Sequence, residues 1–142
     1  MNTATAKALA MMWHAGQLDA NGLPYTEHLQ RVASVFPEDS DENVVGWLHD
    51  CIEDRGITVQ QLRDAGATER QISAISDISH IPKNEPNVVY WGRVKRNELA
   101  LEVKKSDIMD NSNPDRLYYL PEERRWRMMK KYHRALRFFL LP

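Results

Sequence analysis

The sequence has little cysteine and no long hydrophobic segment, and these absences exclude several classes of protein. The only cysteine, Cys51, cannot form an internal disulfide or build a cysteine-rich zinc site. No stretch approaches the roughly 20 apolar residues that a membrane span requires. The first ten residues also lack the apolar block of a signal peptide. We therefore expect a cytoplasmic protein with no membrane partner.

An excess of charge of either sign is also missing. The 142 residues include 19 Lys and Arg against 20 Asp and Glu, which gives a net charge of -1. This balance provides no long-range field that would gather nucleic acid, so we do not expect nucleic acid as a partner. The length suits one hydrophobic core. We therefore predict one domain over residues 1–142.

The alternating hydrophobic pattern of β-strands is absent, and helical periodicity takes its place. Thr58 with Gln61, and Thr68 with Gln71, have the spacing of capping boxes and predict the starts of two short helices. The other helices are predicted over about residues 3–16, 25–35, 40–56, 88–96, 98–110 and 121–140. We therefore expect an all-α fold.

One segment places ionisable side chains directly after the densest apolar run of the chain. It contains His49, Asp50, Glu53 and Asp54. On a continuous helix over residues 40–56, these side chains would share one face. Carboxylates in an apolar setting are costly, and a bound cation is one way to offset that cost. A solvent-exposed acidic stripe paired with arginines would give the same pattern, so this segment alone leaves both interpretations open.

Two further segments are ambiguous when each is taken alone. Asp107 and Asn111 lie four residues apart in a predicted helix, where Asp107 could simply pair with Lys104. His28 follows a Pro-Tyr turn and shares a predicted helix with apolar residues. A single histidine in that position is more often a core residue than a metal ligand.

Together and in this order, these segments resemble the HD-domain phosphohydrolases. Within them, the chain resembles the hydrolase domains of RelA/SpoT-type alarmone enzymes and the small stand-alone alarmone hydrolases. The resemblance covers about residues 6–116. The matching motifs are His14-Ala15-Gly16-Gln17, Gly22-Leu23-Pro24-Tyr25-Thr26-Glu27-His28, Leu48-His49-Asp50-Cys51-Ile52-Glu53-Asp54, and Val103-Lys104-Lys105-Ser106-Asp107 with Asn111.

The resemblance implies a single-domain helical HD fold and one divalent metal ion. Carried over to this sequence, the metal ligands are His28, His49, Asp50 and Asp107. Two imidazoles and two carboxylates form a mixed nitrogen and oxygen set that suits a first-row divalent ion. The family favours Mn²⁺, which we expect here.

The resemblance also implies roles around the metal. Glu53 and Asp54 match a pair that orients and deprotonates a water molecule or protonates the leaving group. Asn111 matches a residue that contacts the substrate or supports a ligand. Lys104 and Arg31 are candidate phosphate contacts, although either could be a solvated surface charge.

Two segments depart from the family pattern. Many alarmone hydrolases have a basic residue in the turn after the Gln, where it stacks on guanine. Here the turn reads Leu18-Asp19-Ala20-Asn21, and an acidic Asp19 would repel phosphates. The stretch over residues 78–83 also matches the family only loosely. Both departures weigh against assigning guanosine tetraphosphate as the substrate from motifs alone.

We therefore predict a divalent-metal-dependent phosphohydrolase that cleaves phosphate or pyrophosphate from a nucleotide-type substrate. A (p)ppGpp 3'-pyrophosphohydrolase is one member of that class. The alternative is a non-catalytic HD-type module that binds a nucleotide or a protein. The basic residues of the last predicted helix are interpreted as a solvated face, and its apolar end leaves a homo-oligomer open.

Overall fold

The computed structural model describes residues 1–141, and helices account for all its regular structure apart from one isolated bridge between Leu18 and Pro24. The predicted all-α fold is confirmed. Residue 142, the last of the predicted domain, lies outside the described residues. The helices are α1 (Thr3–Trp13), α2 (Tyr25–Ser34), α3 (Asp41–Leu48), α4 (Cys51–Arg55), α5 (Val59–Asp64), α6 (Glu69–Asp77), α7 (Asn87–Lys95), α8 (Glu98–Asn111), α9 (Pro114–Leu117) and α10 (Glu122–Leu140).

Local sequence sets several of these helix starts. Thr58 and Gln61 exchange both hydrogen bonds of a capping box at α5, and Thr68 and Gln71 do the same at α6. The hydroxyl oxygen of Ser40 accepts a hydrogen bond from the backbone N–H of Asn43, in the first turn of α3. Each bond satisfies a backbone donor that has no partner inside the helix. The predicted capping boxes are confirmed.

The predicted continuous helix over residues 40–56 is wrong at its centre. α3 ends at Leu48 and α4 begins at Cys51, so His49 and Asp50 lie in the junction between them. The Nδ1 atom of His49 donates a hydrogen bond to the carbonyl oxygen of Gly46 at 2.7 Å. In an unbroken helix that oxygen would accept the amide of Asp50. The His-Asp pair therefore occupies a break, where both side chains can turn to the same side.

α3 is the centre of the hydrophobic core. All residues from Asn43 to Leu48 are buried, and α3 packs against α1, α2, α6 and α8. Gly46 of α3 faces the backbone of Ala33 in α2. Burial of an apolar helix on several sides is the main source of stability for a fold of this kind. It also fixes where the His49-Asp50 junction lies.

α10 covers α7 and α8. Its residues Ala135 and Phe139 are buried, and its Phe138 packs against Trp91 of α7 with ring centroids 5.6 Å apart. Lys95 donates hydrogen bonds to two carbonyl oxygens at the end of α10. No helix within residues 1–141 is both long and apolar enough to cross a lipid bilayer.

The approach of α2 and α3 gives a stability prediction for Gly46→Ala. An added Cβ would lie 2.7 Å from the Cα atom of Ala33, so one helix must shift. Such overpacking costs about 1–3 kcal/mol of unfolding free energy, which urea denaturation would measure. The control is Gly92→Ala in α7, where the nearest atom is the tip of the Arg96 side chain at 3.4 Å. Since alanine favours helix, this control should stabilise by about 0.5–1 kcal/mol. A Gly46→Ala protein as stable as the wild type would contradict the observed packing.

Candidate metal centre

Four side chains from separate parts of the fold meet at one point. His28 comes from α2, His49 and Asp50 from the α3–α4 junction, and Asp107 from α8. One potential ligand atom from each lies within 4.8 Å of all the others. The Nε2 atom of His28 is 3.1 Å from Asp107 Oδ1, and the Nε2 atom of His49 is 3.1 Å from Asp50 Oδ2. The fold thus brings together the four residues proposed as ligands.

The two imidazoles present bare nitrogen atoms to this cluster. His28 is 1% exposed and His49 is 2% exposed. Among the described residues, the Nε2 atom of neither ring has a hydrogen-bond partner. A buried polar atom without a partner is costly, and ligation of a cation would remove that cost. Two imidazole nitrogens and two carboxylates form a donor set that fits a divalent metal ion.

The charges of the cluster also suit a cation. Burial by itself would lower the pKa of His49, but Asp50 and Asp107 outweigh it and raise that pKa well above 6.5. Burial would raise the pKa of Asp107, but Lys104 and the two histidines hold it well below its usual range. The carboxylates therefore stay negative, although Asp107 is buried and Asp50 is only partly exposed. That negative field favours positive charge at the cluster.

Asp110 supports His28 from the side away from the cluster. Its Oδ2 atom lies 2.6 Å from Nδ1 of His28, and since a carboxylate accepts, Nδ1 carries a proton and Nε2 is the ring nitrogen that faces the cluster. Arg31 and Arg116 each donate to Asp110 at 2.7 Å. The motifs did not indicate Asp110 as a site residue. The one sequence feature that could have indicated it is its position three residues after Asp107, on the same predicted helix. Arg31, proposed as a phosphate contact, lies behind His28 and does not line the cavity described below.

Asp107 is fixed by two neighbours on its own helix. Asn111 donates its Nδ2 to Oδ1 at 2.9 Å, and Lys104 donates its Nζ to Oδ2 at 3.0 Å. Both neighbours also line the cavity, and the contact of Lys104 and Asn111 with a substrate stays a prediction. Such partners orient metal ligands and set their basicity.

The junction ligands have partners as well. His49 is fixed by its bond to the carbonyl of Gly46, which leaves its Nε2 free. Asp50 accepts a hydrogen bond from the hydroxyl of Tyr25 at 2.6 Å. Tyr25 belongs to the Pro-Tyr segment that precedes His28, so one short stretch of chain provides both a ligand and a partner for another ligand.

Glu53, predicted as a catalytic group, lines the cavity but has both of its oxygens engaged. Oε1 accepts the backbone N–H of His80 at 2.7 Å, and Oε2 pairs with Lys83 at 2.9 Å. Both partners lie in the loop between α6 and α7. Glu53 therefore ties that loop to the wall of the site.

Asp54, the other predicted catalytic group, also lines the cavity. Its Oδ2 atom accepts from Nε2 of Gln17 at 3.1 Å. Burial raises the pKa of Asp54, and the charges of Asp50 and Glu53 raise it further. A carboxyl group with a raised pKa and access to a cavity is suited to proton transfer.

A cavity of about 590 Å³ opens above the cluster, a volume suited to a small molecule. Its floor is acidic, and its upper walls carry basic and aromatic side chains from α7, α8, α9 and α10. The wall residues that bear on ligand chemistry are Tyr90, Trp91, Lys104, Arg116, Lys131 and Tyr132.

Asp19, the acidic residue expected to repel phosphates, lines this cavity with its charge already paired. Arg116 donates to one of its oxygens at 3.2 Å, and the backbone amides of Asn21 and Leu23 donate to the other. The carboxylate therefore closes the turn after Gln17 and anchors Arg116. The ion pair makes the expected repulsion weaker than the sequence alone implied.

Comparison with known proteins identifies the fold. No family model matches the sequence. A solved structure of a metazoan SpoT ortholog, described as a protein that hydrolyses ppGpp and plays a role in starvation responses, superposes with a TM-score of 0.81. The match covers 97% of this chain and 85% of the other at 16% sequence identity, a level at which it shows the fold alone.

The chain therefore has the helical fold of the HD type. More particularly, it shares the fold of that metazoan SpoT ortholog, and the fold implied by the motif resemblance is confirmed.

The bond between His28 and Asp110 predicts an effect on metal affinity. Asp110→Asn removes the charge that keeps the His28 proton on Nδ1, so Mn²⁺ affinity should fall about 10- to 100-fold. Calorimetric titration of Mn²⁺ would measure the fall, with circular dichroism to verify the fold. Asp115→Asn, an exposed carboxylate in α9, is the matched control and should bind like the wild type. Equal affinity in both variants would mean that Asp110 has no influence on the centre.

Proposed function

We propose that this protein is a divalent-metal-dependent phosphohydrolase that acts on a nucleotide-type substrate in the cytoplasm. The observation that carries the proposal is the cluster of two bare imidazole nitrogens and two carboxylates beneath a cavity of ligand size. The fold shared with a ppGpp-hydrolysing protein supports it. We propose a first-row divalent metal held by His28, His49, Asp50 and Asp107, because the donor set mixes imidazole and carboxylate. Among such ions we propose Mn²⁺, which the resemblance to the HD-domain phosphohydrolases favours.

A basic groove at the side of the cavity supports an anionic substrate. Four of its six lining residues are cations, and Asn87, Trp91 and Lys131 line both the groove and the cavity. Within residues 1–141, none of the four cations is paired with a carboxylate. Such a surface attracts phosphate groups and raises the rate of encounter with them. The groove residues are Asn87, Trp91, Arg127, Lys130, Lys131 and Arg134.

The finer part of the proposal is a (p)ppGpp 3'-pyrophosphohydrolase. Its support is twofold: the solved structure with the same fold is described as hydrolysing ppGpp, and the basic groove fits a ligand with more than one phosphate group. The pairing of Asp19 with Arg116 weakens the argument against this substrate that rests on the charge of Asp19.

The residues around the cavity have contacts that suggest different roles in the reaction. When bound, a divalent cation lowers the pKa of a water molecule and offsets charge on the phosphate. Within residues 1–141, the Asp54 side chain has Gln17 as its one hydrogen-bond donor, and Asp54 is proposed to exchange a proton with the attacking water or the leaving group. Glu53 is proposed to hold the loop that carries His80 and Lys83 against the site. Lys104 and Asn111 keep Asp107 oriented and lie within the wall that a phosphate would face.

A substrate screen tests the function together with its metal. The Mn²⁺-loaded protein should release phosphate or pyrophosphate from at least one member of a panel of nucleotides, alarmones and dinucleotides. Asp50→Ala should lose both metal and turnover yet stay folded, because the apolar core supplies most of the stability. Asp64→Ala, on the exposed side of α5, is the control.

Elemental analysis and circular dichroism complete this screen. A folded Asp50→Ala protein with full metal content would contradict the ligand assignment. A metal-loaded wild type that binds nucleotides and releases no phosphate would favour the alternative, a nucleotide-binding module.

A second comparison separates the two acidic groups. Asp54→Asn should lower kcat about 10²- to 10⁴-fold, the usual contribution of a positioned acid or base, with metal content unchanged. Glu53→Gln keeps an oxygen for the His80 amide and loses only its pair with the exposed Lys83, so kcat should fall less than about tenfold. The reverse order of effects would assign the proton transfer to Glu53.

A further inference from the structure

The motif His14-Ala15-Gly16-Gln17 lies beside the candidate metal centre, but none of its residues is a proposed metal ligand. His14 ends α1, where its backbone N–H bonds to the carbonyl of Ala10. Gly16 has a φ of +80°, a conformation that glycine adopts without strain, and the chain turns there. The backbone N–H of Gln17 bonds back to the carbonyl of His14 at 3.0 Å. The turn therefore places the Gln17 side chain between His14 and Asp54.

The hydrogen bonds through Gln17 run in one direction. An ionised carboxylate only accepts, so the amide nitrogen of Gln17 is the atom that faces Asp54, at 3.1 Å. The amide oxygen then faces Nδ1 of His14 at 2.7 Å. An amide oxygen only accepts, so Nδ1 must carry a proton. While Asp54 is ionised, the chain of bonds therefore fixes the tautomer of His14.

The surroundings of His14 agree with that tautomer. The ring is 1% exposed and stacks on Tyr25 with centroids 5.6 Å apart. Burial lowers its pKa, and this outweighs the opposing effects of Gln17, Asp50 and Asp54. Its Nε2 atom is buried and has no hydrogen-bond partner among the described residues. A neutral ring with a proton on Nδ1 leaves Nε2 as a bare acceptor, which matches this environment.

We propose that His14 and Gln17 are positioning residues that hold the Asp54 carboxylate in one orientation toward the cavity. The inference rests on the proposed function, because it assigns these residues to the proton transfer of that reaction. An aspartate at an exposed position of a short helix can adopt several rotamers. A single bond to an amide that is itself fixed by a buried imidazole removes that freedom and leaves the second oxygen available.

A double-mutant cycle tests the positioning. Gln17→Met keeps the length of the side chain but removes the amide, so kcat should fall about 10- to 100-fold with KM and metal content little changed. In an Asp54→Asn background, the same substitution should cause no further fall, because there is no carboxylate left to orient. Gln60→Met is the matched control, since Gln60 makes a similar bond to Asp64 on the exposed side of α5. Equal effects of Gln17→Met in both backgrounds would overturn the proposal.

A conservative pair of variants separates positioning from packing. His14→Asn keeps an N–H donor close to the position of Nδ1, whereas His14→Leu fills the same space without one. We expect His14→Asn to retain at least tenfold more turnover than His14→Leu at similar melting temperatures. Equal losses in the two variants would mean that His14 acts only by filling space.

Nitrogen NMR of histidine-labelled protein gives a readout that does not depend on catalysis. At pH 7, His14 should be neutral, with its proton on Nδ1 and a bare Nε2. Gln17→Met should remove that preference. A proton on Nε2 in the wild type would overturn the proposal. The two failures are distinguishable: a wild type without turnover refutes the proposed function, and an active wild type with the wrong tautomer refutes the positioning alone.

Discussion

The structure depends on the stabilisation of two negatively charged carboxylates that have little contact with solvent. Asp50 and Asp107 face two imidazoles in a space between α2, α3 and α8. Desolvation of such groups costs several kcal/mol per ion unless partners replace the lost water. Tyr25, Lys104 and Asn111 each bond to one of these carboxylates. Among the described residues, the Nε2 atoms of His28 and His49 have no hydrogen-bond partner, and a bound cation would provide one.

The helix packing serves this constraint. α3 reaches the centre because Gly46 allows it to approach α2 more closely than any larger residue could. The same Gly46 provides the carbonyl that holds His49, and the helix is interrupted there. Apolar burial on several sides stabilises α3 and α8. The fold can therefore hold the ligands in position without a contribution of the metal ion to its stability. Packing and ligand geometry are thus set by the same short stretch of chain.

The sequence predicts the features that are set locally and misses those that depend on distant partners. The capping boxes of α5 and α6 were predictable because each is complete within four residues. The meeting of the four candidate ligands was predictable only through the resemblance to a family. The helix break at His49, the support of His28 by Asp110 and the pairing of Asp19 with Arg116 were not. The last two join residues 82 and 97 positions apart, a separation that no local pattern records.

The near-neutral charge of the whole chain conceals a segregation of charge at the site. Acidic groups lie at the floor of the cavity, whereas Arg127, Lys130 and Arg134 gather on one side of α10 beside it. The net charge predicts no long-range attraction for polyanions, but it carries no information about a ligand a few ångströms across. A molecule that fills this cavity must meet a negative floor and a positive wall. A phosphate group bound together with a divalent cation would suit both surfaces. The cation would neutralise the carboxylates, and the arginines and lysines would neutralise the remaining negative charge of the phosphate.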